Sequence, residues 1–477
     1  MVATFVFHFV LFGVIAVKIG LGQLFIDLAY CAAGRYAGGP AKVSVLSSAM
    51  FGMISGSSIA NTVTTGALTI PAMKRVGYKP HFAAAVEATA STGGQITPPL
   101  MGAAAFVMAE FLEIPYRDII IAAIVPAALH FLGVLVMVHL EAKRLGLRGL
   151  TTEELPQAWR VLRDGWPTLI PLVILVGTLL TGRTPYAAAF YGITACIVVG
   201  FLNPRCRLTL GELWDAFKTG AKYALAVGAA AAAVGVIVGV VTLSGMGFRV
   251  SFIVVNFASE LGTTVAGIFP FGLVSAQGAA LFLTLLLTGV ACIVLGAGIP
   301  TTACYIILAA IAAPALAQLG VSPLVSHFFV FYYGVLADVT PPVAVAAYAG
   351  AGIAGANPFR TGNTAFRLAN AKALVPFVFV YAPSLLLIAD GFSLYDFVVA
   401  LAGCILGIVF LGAALTGYLL TAMKAWQRLP LAVGAFLMIA PDLQSSLLGL
   451  VFALPVIVGQ ALTRRRAARA ETLEAAE

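Results

Sequence analysis

Residues 56–62 read Gly-Ser-Ser-Ile-Ala-Asn-Thr, residues 77–80 Gly-Tyr-Lys-Pro and residues 93–99 Gly-Gly-Gln-Ile-Thr-Pro-Pro. The same order returns as Gly-Ala-Gly-Ile-Pro-Thr-Thr at 296–302, Gly-Val-Ser-Pro at 320–323 and Leu-Ala-Asp-Val-Thr-Pro-Pro at 336–342. The first blocks are offset by 240 positions (56 to 296); the G-x-x-P and T-P-P blocks are both offset by 243 (77 to 320, 97 to 340). A three-residue insertion around Ile307–Pro314 accounts for the difference. Three ordered landmarks with one small gap point to an internal duplication.

Each unit implies one shape. A Gly/Ser/Thr-rich tip lies between apolar limbs that read as too short for roughly 30 Å of hydrocarbon. That predicts a re-entrant helical hairpin, with limbs Val43–Ser55 and Thr62–Met73 in one unit and Leu283–Leu295 and Thr302–Leu319 in the other. A helix broken near its middle follows: Phe82–Ser91 and Pro99–Phe111, then Val325–Leu336 and Pro342–Ile353. Paired prolines donate no backbone hydrogen bond and restrict the preceding residue, so the helix must open there.

Outside these segments the chain is apolar: 61% of its 477 residues are hydrophobic and only 10% charged. A soluble domain carries about 25% charged residues. Stretches such as Ile119–Leu140, Leu169–Leu180, Ala187–Leu202, Ala224–Leu243 and Phe397–Leu420 are near the length of spanning helices and lack the alternation of barrel strands. The fold class expected is an all-α polytopic membrane protein with two inverted-topology repeats, each holding a re-entrant hairpin and a broken helix.

The net charge of +8 is not a nucleic-acid signal, because Lys and Arg cluster between apolar spans. Lys143, Arg144, Arg148, Arg160 and Arg163 form one cluster, and Arg205, Arg207, Lys218 and Lys222 the next. Arg360, Arg367 and Lys372, then Lys424 and Arg428, repeat the two-span spacing, and Arg464, Arg465, Arg466 and Arg469 close the chain. All are expected to face the cytoplasm, with Pro430–Leu462 forming an in–out–in pair of short helices. The closing spans Ile119–Leu140 and Ala373–Ile388 then run in opposite senses, as inverted repeats require.

Broken helices in lipid free backbone groups that protein, water or ions must satisfy. Unwound carbonyls suit a monovalent cation, and half-helix N-termini suit a carboxylate. Ser57, Ser58, Asn61, Thr97, Thr301, Thr302 and Thr340 add hydroxyl or amide ligands beside the breaks. Asp338 is the acidic residue directly at a Pro-Pro break, a functional candidate by depth alone. It reads as a cation ligand, or as a cap or hydroxyl partner for the adjoining half-helix.

Glu87 and Glu110 flank the first broken helix and are expected near the interfaces or against Lys79 and Arg117; a proton or ion path is their alternative. His8, His81, His130, His139 and His327 lack ligand spacing and read as packed or interfacial. The six cysteines show no C-x-x-C and read as small core residues. The run Ala224–Ala233 with Gly228, Gly235 and Gly239 is expected to form a close helix contact, and Phe328–Tyr333 to pack the second broken helix. Phe5–Val17 is apolar but lacks the flanks of a cleavable signal.

The stretch GSSIANTVTTGALTIPAMKRVGYKPHFAAAVEATASTGGQITPPLMGAAAFVMAEFL, with GAGIPTTACYIILAAIAAPAL and VLADVTPPVAVAAYAGAGIAGANP, resembles the large membrane subunit of TRAP transporters, and its form looks like the TAXI-type branch. The resemblance covers roughly residues 1–390, and the helices from Phe397 to Leu462 look like that branch's C-terminal extension. It implies sodium-driven import of an organic acid, mostly carboxylates, across the bacterial inner membrane. It also implies a periplasmic substrate-binding protein and an elevator architecture, with sodium as coupling ion and no other cofactor. Carried over, Ser57, Ser58, Asn61 and Gly93, Gly94 and Gln95 would form one sodium site, and Gly296, Ile299, Thr302, Gly334 and Asp338 the second. Thr62, Thr97, Pro98, Thr301, Thr340 and Pro341 would line the substrate. Asn61 stands where many relatives outside that branch carry an acid, so the charge balance of the first site departs from theirs.

Fused relatives carry helices ahead of the point where this sequence starts; the expectation is a separate small membrane subunit or a shortened N-terminus. The expected organisation is 1–42 scaffold and amphipathic segment, 43–140 first repeat, 141–280 connecting scaffold, 281–390 second repeat, and 391–477 extra helices with a basic tail. Two rivals remain. One is an elevator carrier without a binding protein. The other, an intramembrane enzyme, lacks support: Tyr395-Asp396 has no G-x-G-D partner, and neither a Ser/His pair nor H-E-x-x-H is found.

Overall fold

The computed structural model describes residues 6–268, 275–440 and 442–474, with side chains up to Arg466. Phe5 and the Arg469 side chain, named above, lie outside the described residues, as do 269–274 of the connecting segment.

The chain is all-α. Helices α1 (Phe7–Lys18) and α2 (Leu21–Ala33) meet at 65° about Gly20. The first unit comprises a hairpin of α3 (Gly39–Ser55) and α4 (Ser58–Arg75), a broken helix of α5 (Pro80–Gly94) and α6 (Ala104–Phe111), and the long α7 (Tyr116–Arg144). Helices α8 (Ala158–Gly165), α9 (Ile170–Leu180), α10 (Pro185–Leu202), α11 (Leu210–Leu243) and α12 (Met246–Ile268) connect to the second unit. There α13 (Ala276–Gly296), α14 (Thr301–Ile311) and the short α15 (Ala313–Ala317) make the hairpin, and α16 (Pro323–Leu336) and α17 (Val345–Ala354) the broken helix. An added α18 (Pro358–Leu368) precedes α19 (Asn370–Tyr381), and α20 (Leu394–Thr416), α21 (Ala425–Ile439) and α22 (Leu443–Glu474) complete the chain.

Among the described residues eight helices are long and apolar enough to cross a membrane, or nine if α1 and α2 count as one bent span. Their outer faces carry large apolar side chains, such as Val236, Leu243, Phe248 and Phe252, that only lipid or a partner can cover. One continuous core runs through both units, from Phe12 and Ile15 to Phe328, Phe331 and Phe379. The aromatic run thus packs as expected: Phe328 and Tyr332 stand edge-on to Phe379, and Phe329 to Phe377.

Several elements depart from the sequence reading. The limb α13 is 21 residues long, a full span rather than a short limb, because Ser275 caps it by accepting from the Gly278 N–H. The closing span expected over Ala373–Ile388 stops at Tyr381, where Pro383 begins a 3-10 turn. The last helix, α22, reaches 32 residues rather than forming one of a short pair. The small-residue stretch of α11 packs on α14 through Ala230, Val234 and Val238 against Ala303 and Ile307, while Gly235 and Gly239 face open space.

Duplication shows most clearly in the backbone. Pro98-Pro99 and Pro341-Pro342 are both cis, and two residues after each pair Met101 (φ 53°) and Ala344 (φ 37°) take the left-handed conformation. Non-glycine residues rarely do so. Met101 and Ala344 differ by the same 243 positions as the T-P-P blocks, yet neither residue type announces the conformation.

Candidate functional site

Each hairpin tip folds onto its own unit's break. In the first unit Gly52 of α3 crosses Gly94 at the end of α5 so closely that a Cβ on Gly52 would lie 2.5 Å from the Gly94 Cα. Gly56 turns the tip with φ +62°, and Ser57 caps α4 by accepting from the Ala60 N–H at 3.3 Å. In the second unit Gly296 lies against the Gly334 carbonyl and the Ala337 methyl, so the structure joins that tip to that break as well. Ile299 and Thr301 are half-buried there, and Thr302 is buried.

At both breaks the threonine caps the opened helix. The Thr97 hydroxyl donates to the Gly93 carbonyl at 2.6 Å, and the Thr340 hydroxyl to the Leu336 carbonyl at 2.7 Å. Each hydroxyl therefore satisfies a carbonyl four residues back. Pro98 and Pro341 are half-buried beside them.

The two units meet through Asp338, which lies in the 3-10 turn Ala337–Val339 and is 7% exposed. The Ser58 hydroxyl donates to its Oδ2 at 2.5 Å. The Gln95 amide also acts on the same carboxylate. Gln95 is the counterpart of Asp338 under the 243-residue offset (95 to 338), so the equivalent residues of the two breaks come together. Asp338 does not cap α17, whose N-cap Ala344 has no side-chain cap bond; its hydrogen-bond partner is the Ser58 hydroxyl. Two sets read from sequence as separate therefore touch, Ser58 of the first with Asp338 of the second.

Around this meeting point Asn61 is fully buried and donates from Nδ2 to the Ser48 carbonyl at 2.8 Å. Among the described residues, Thr62 Oγ1 and Gln95 Oε1 are buried oxygens without a hydrogen-bond partner. Behind the site Lys372, read from sequence as part of a solvent-facing basic cluster, is instead fully buried. Its Nζ donates to the Thr92 hydroxyl at 2.7 Å, and its charge acts on Asp338. The correction follows from packing: α19 lies between α7 and α16 and inserts Lys372 toward α5, while Arg360 and Arg367 stay exposed.

Glu87 needs a larger correction. It contacts neither Lys79 nor Arg117 but is fully buried between α3, α4 and α5. Five hydroxyls surround its carboxylate: Ser48 at 2.6 Å, Thr65 at 2.5 Å and Ser91 at 3.1 Å on Oε1, Ser44 at 2.7 Å and Thr69 at 2.5 Å on Oε2. The sequence carried the signal as three i, i+4 pairs, Ser44/Ser48, Thr65/Thr69 and Glu87/Ser91, each presenting two polar groups on one helix face. Glu110 is exposed, as expected of an interfacial residue. Packed histidines are also as read: His130 is buried with Nε2 3.3 Å from the Thr89 carbonyl, and His327 Nδ1 lies 2.6 Å from the Tyr305 hydroxyl.

Repeated helix breaks, buried polar groups at their crossing and an apolar exterior define a polytopic membrane transport protein. The chain belongs to the family described as the tripartite ATP-independent periplasmic transporter, DctM component, whose model matches residues 1–392. Members of this family are bacterial inner-membrane permeases rather than enzymes. The chain is 26% identical to the isethionate TRAP transporter permease protein DctMQ of Oleidesulfovibrio alaskensis, over 77% of this chain and 54% of that protein. It is 30% identical to the C4-dicarboxylate TRAP transporter large permease protein DctM of Pseudomonas aeruginosa, over 42% and 47%. To the 2,3-diketo-L-gulonate TRAP transporter large permease protein YiaN of Escherichia coli it is 27% identical, over 45% and 50%. The chain thus spans about half the length of these curated relatives. Among solved structures, the Alcanivorax borkumensis YdaH transporter aligns with a TM-score of 0.47 and 17% identity, over 79% of this chain and 84% of that one.

Proposed function

We propose that the chain is the translocating subunit of a secondary transporter that imports an organic acid, using sodium as coupling ion and a periplasmic substrate-binding protein as donor. The observation that carries this reading is the buried meeting of Ser58, Gln95 and Asp338, where both breaks and the first hairpin tip converge. A carboxylate held by the Ser58 hydroxyl, with the unpartnered oxygens of Thr62 on the same half-hairpin and Gln95 at the other break, supplies the hard oxygen ligands a sodium ion takes. Sodium there would offset the Asp338 charge and hold the hairpin onto the break. The half-helix N-termini near Thr97 and Thr340 then suit the substrate anion.

Isethionate, C4-dicarboxylate and diketogulonate, for which the three relatives are named, are all organic anions, which supports an acidic substrate. A small membrane subunit completes the complex, in keeping with the fused DctMQ relative. The two hairpins with their broken helices form the part that moves against the remaining helices, as in an elevator, and the resemblance of the residues quoted above supports a transporter of the TAXI-type branch.

The test is uptake of labelled organic acids into proteoliposomes holding the chain, its small subunit and its binding protein. Uptake is expected with sodium outside and binding protein present, and is lost with potassium or in Asp338→Asn. Uptake that persists without the binding protein would instead mark a self-sufficient carrier. Uptake indifferent to sodium overturns the coupling.

A further inference from the structure

Glu87 lies outside the crossing just described, and nothing in that reading uses it. It is a carboxyl group, fully buried, in a chain that sits in lipid. Among the described residues no Lys, Arg or His nitrogen lies within ion-pair distance of it. Charged groups on the elements packed around α5 are turned elsewhere. Lys42 of α3 faces His139 of α7, Lys74 of α4 donates to the Ala354 carbonyl, and His130 of α7 faces the Thr89 carbonyl. Arg367 of α18 donates to the Leu415 carbonyl, Glu141 pairs with Arg144 on α7, Arg117 with Asp118, and Asp338 is held by Ser58. Lys372 of α19, buried against α5, donates to the Thr92 hydroxyl, and Arg75, Lys143 and Arg360 are exposed. Burying an uncompensated carboxylate is expensive enough that such a group ordinarily takes up a proton.

The five hydroxyls make both ionisation states possible. Toward the ionised acid each can donate its one proton, and charge-assisted O–H···O bonds at the 2.5–2.7 Å seen for four of them are strong. Toward the protonated acid they have other acceptors at hand. Thr65 reaches the Asn61 carbonyl at 2.8 Å and Asn61 Oδ1 at 3.2 Å, Thr69 the Thr65 carbonyl at 3.1 Å, and Ser48 the Thr65 hydroxyl at 3.1 Å. A freed hydroxyl oxygen, that of Ser44 or Ser48, then accepts the new O–H of Glu87. Ammonium or guanidinium partners would have fixed one charge state; hydroxyls, which donate and accept, do not.

The arrangement also leads somewhere. Ser58, Asn61, Thr65 and Thr69 lie on one face of α4, a polar file on a helix whose other side carries the exposed Ile59, Val63 and Leu68. From Ser58 to Thr65 it rises about 10 Å at 1.5 Å per residue. Its far end holds Glu87, and its near end is the tip that meets Asp338.

We propose that Glu87, with Ser44, Ser48, Thr65, Thr69 and Ser91, is a proton-binding site of this transporter, separate from the sodium site. The proton adds to one carboxylate oxygen and is released from it again; no other bond is made or broken.

The experiment is infrared difference spectroscopy of the purified full chain in lipid between acidic and alkaline pH, so it stands or falls apart from sodium-driven uptake. The expected result is a protonated-carboxyl C=O band that titrates in the wild type, survives in Asp338→Asn and is absent in Glu87→Gln. Should Glu87→Gln not fold, Ser91→Ala and Thr69→Val serve. Each removes a donor to the ionised form and is expected to change the pH at which the band appears. A band unchanged in Glu87→Gln overturns the proposal, as does a midpoint indifferent to both hydroxyl variants. A band that sodium abolishes at constant acidic pH also overturns it, by making Glu87 a sodium ligand.

Discussion

Ser58 Oγ and Asp338 Oδ2, 280 residues apart in the chain, lie 2.5 Å from each other. The first belongs to the hairpin tip of one repeat and the second to the helix break of the other. Any movement that parts the first hairpin from the second break must break this hydrogen bond, and any cation bound to Asp338 must share the carboxylate with it. The bond thus links the state of the hairpin to the state of the ion site.

Ser58→Ala removes one donor but keeps the acid. Hydrogen bonds to charged groups contribute about 1.5–3 kcal/mol. Sodium-dependent thermal stabilisation of the purified chain is expected to need roughly 10-fold or more sodium in this variant. An unchanged sodium titration would show that the bond and the ion are independent.

Lys372 is a buried base and Asp338 a buried acid of this region. Removing either alone, as Lys372→Met or Asp338→Asn, leaves the other uncompensated, whereas removing both does not. A double-mutant cycle on thermal stability is expected to return a favourable coupling of about 1–3 kcal/mol. Simple additivity would show that Lys372 is held by Thr92 alone.

Gly52→Ala and Gly94→Ala press a methyl onto backbone where α3 crosses the first break. Overpacking of this kind costs about 1–3 kcal/mol, and a drop in melting temperature is the readout. Gly235→Ala, on the open face of α11, is the control and is expected to be neutral or slightly stabilising. Equal effects at all three positions would contradict the close crossing.

Thr97→Val and Thr340→Val keep shape but uncap the carbonyls of Gly93 and Leu336. Each is expected to lower stability by about 1 kcal/mol and, because the two caps are equivalent, by similar amounts. A large effect at one and none at the other would mean that the breaks are held differently.

Much of this is legible in the sequence. Gly-rich tips and T-P-P motifs have few conformational options, so the breaks and their pairing could be read from residue type. The opened segments run further than expected, with α6 and α17 starting at Ala104 and Val345 rather than at the prolines. The left-handed Met101 and Ala344 left no mark in the sequence, since neither residue prefers that conformation. Lys372 was misread because a lysine near two arginines looks like a topological signal; only the packing of α19 shows that it points inward. Glu87, named as a candidate, is expected from sequence near an interface or a basic side chain, because its actual partners are neutral and carry no charge signal. A search for opposite charges finds nothing, whereas pairing polar residues at i, i+4 on three helices finds Ser44/Ser48, Thr65/Thr69 and Glu87/Ser91, and so all five hydroxyls.

The central claim, that Asp338 at the meeting of the two breaks holds the coupling ion, is tested most directly by binding of radioactive sodium to the purified chain in lipid nanodiscs. The account predicts saturable binding in the wild type, with at least one sodium lost in Asp338→Asn. Binding of the same stoichiometry and affinity in Asp338→Asn, or no saturable sodium binding by a folded wild type, would contradict it.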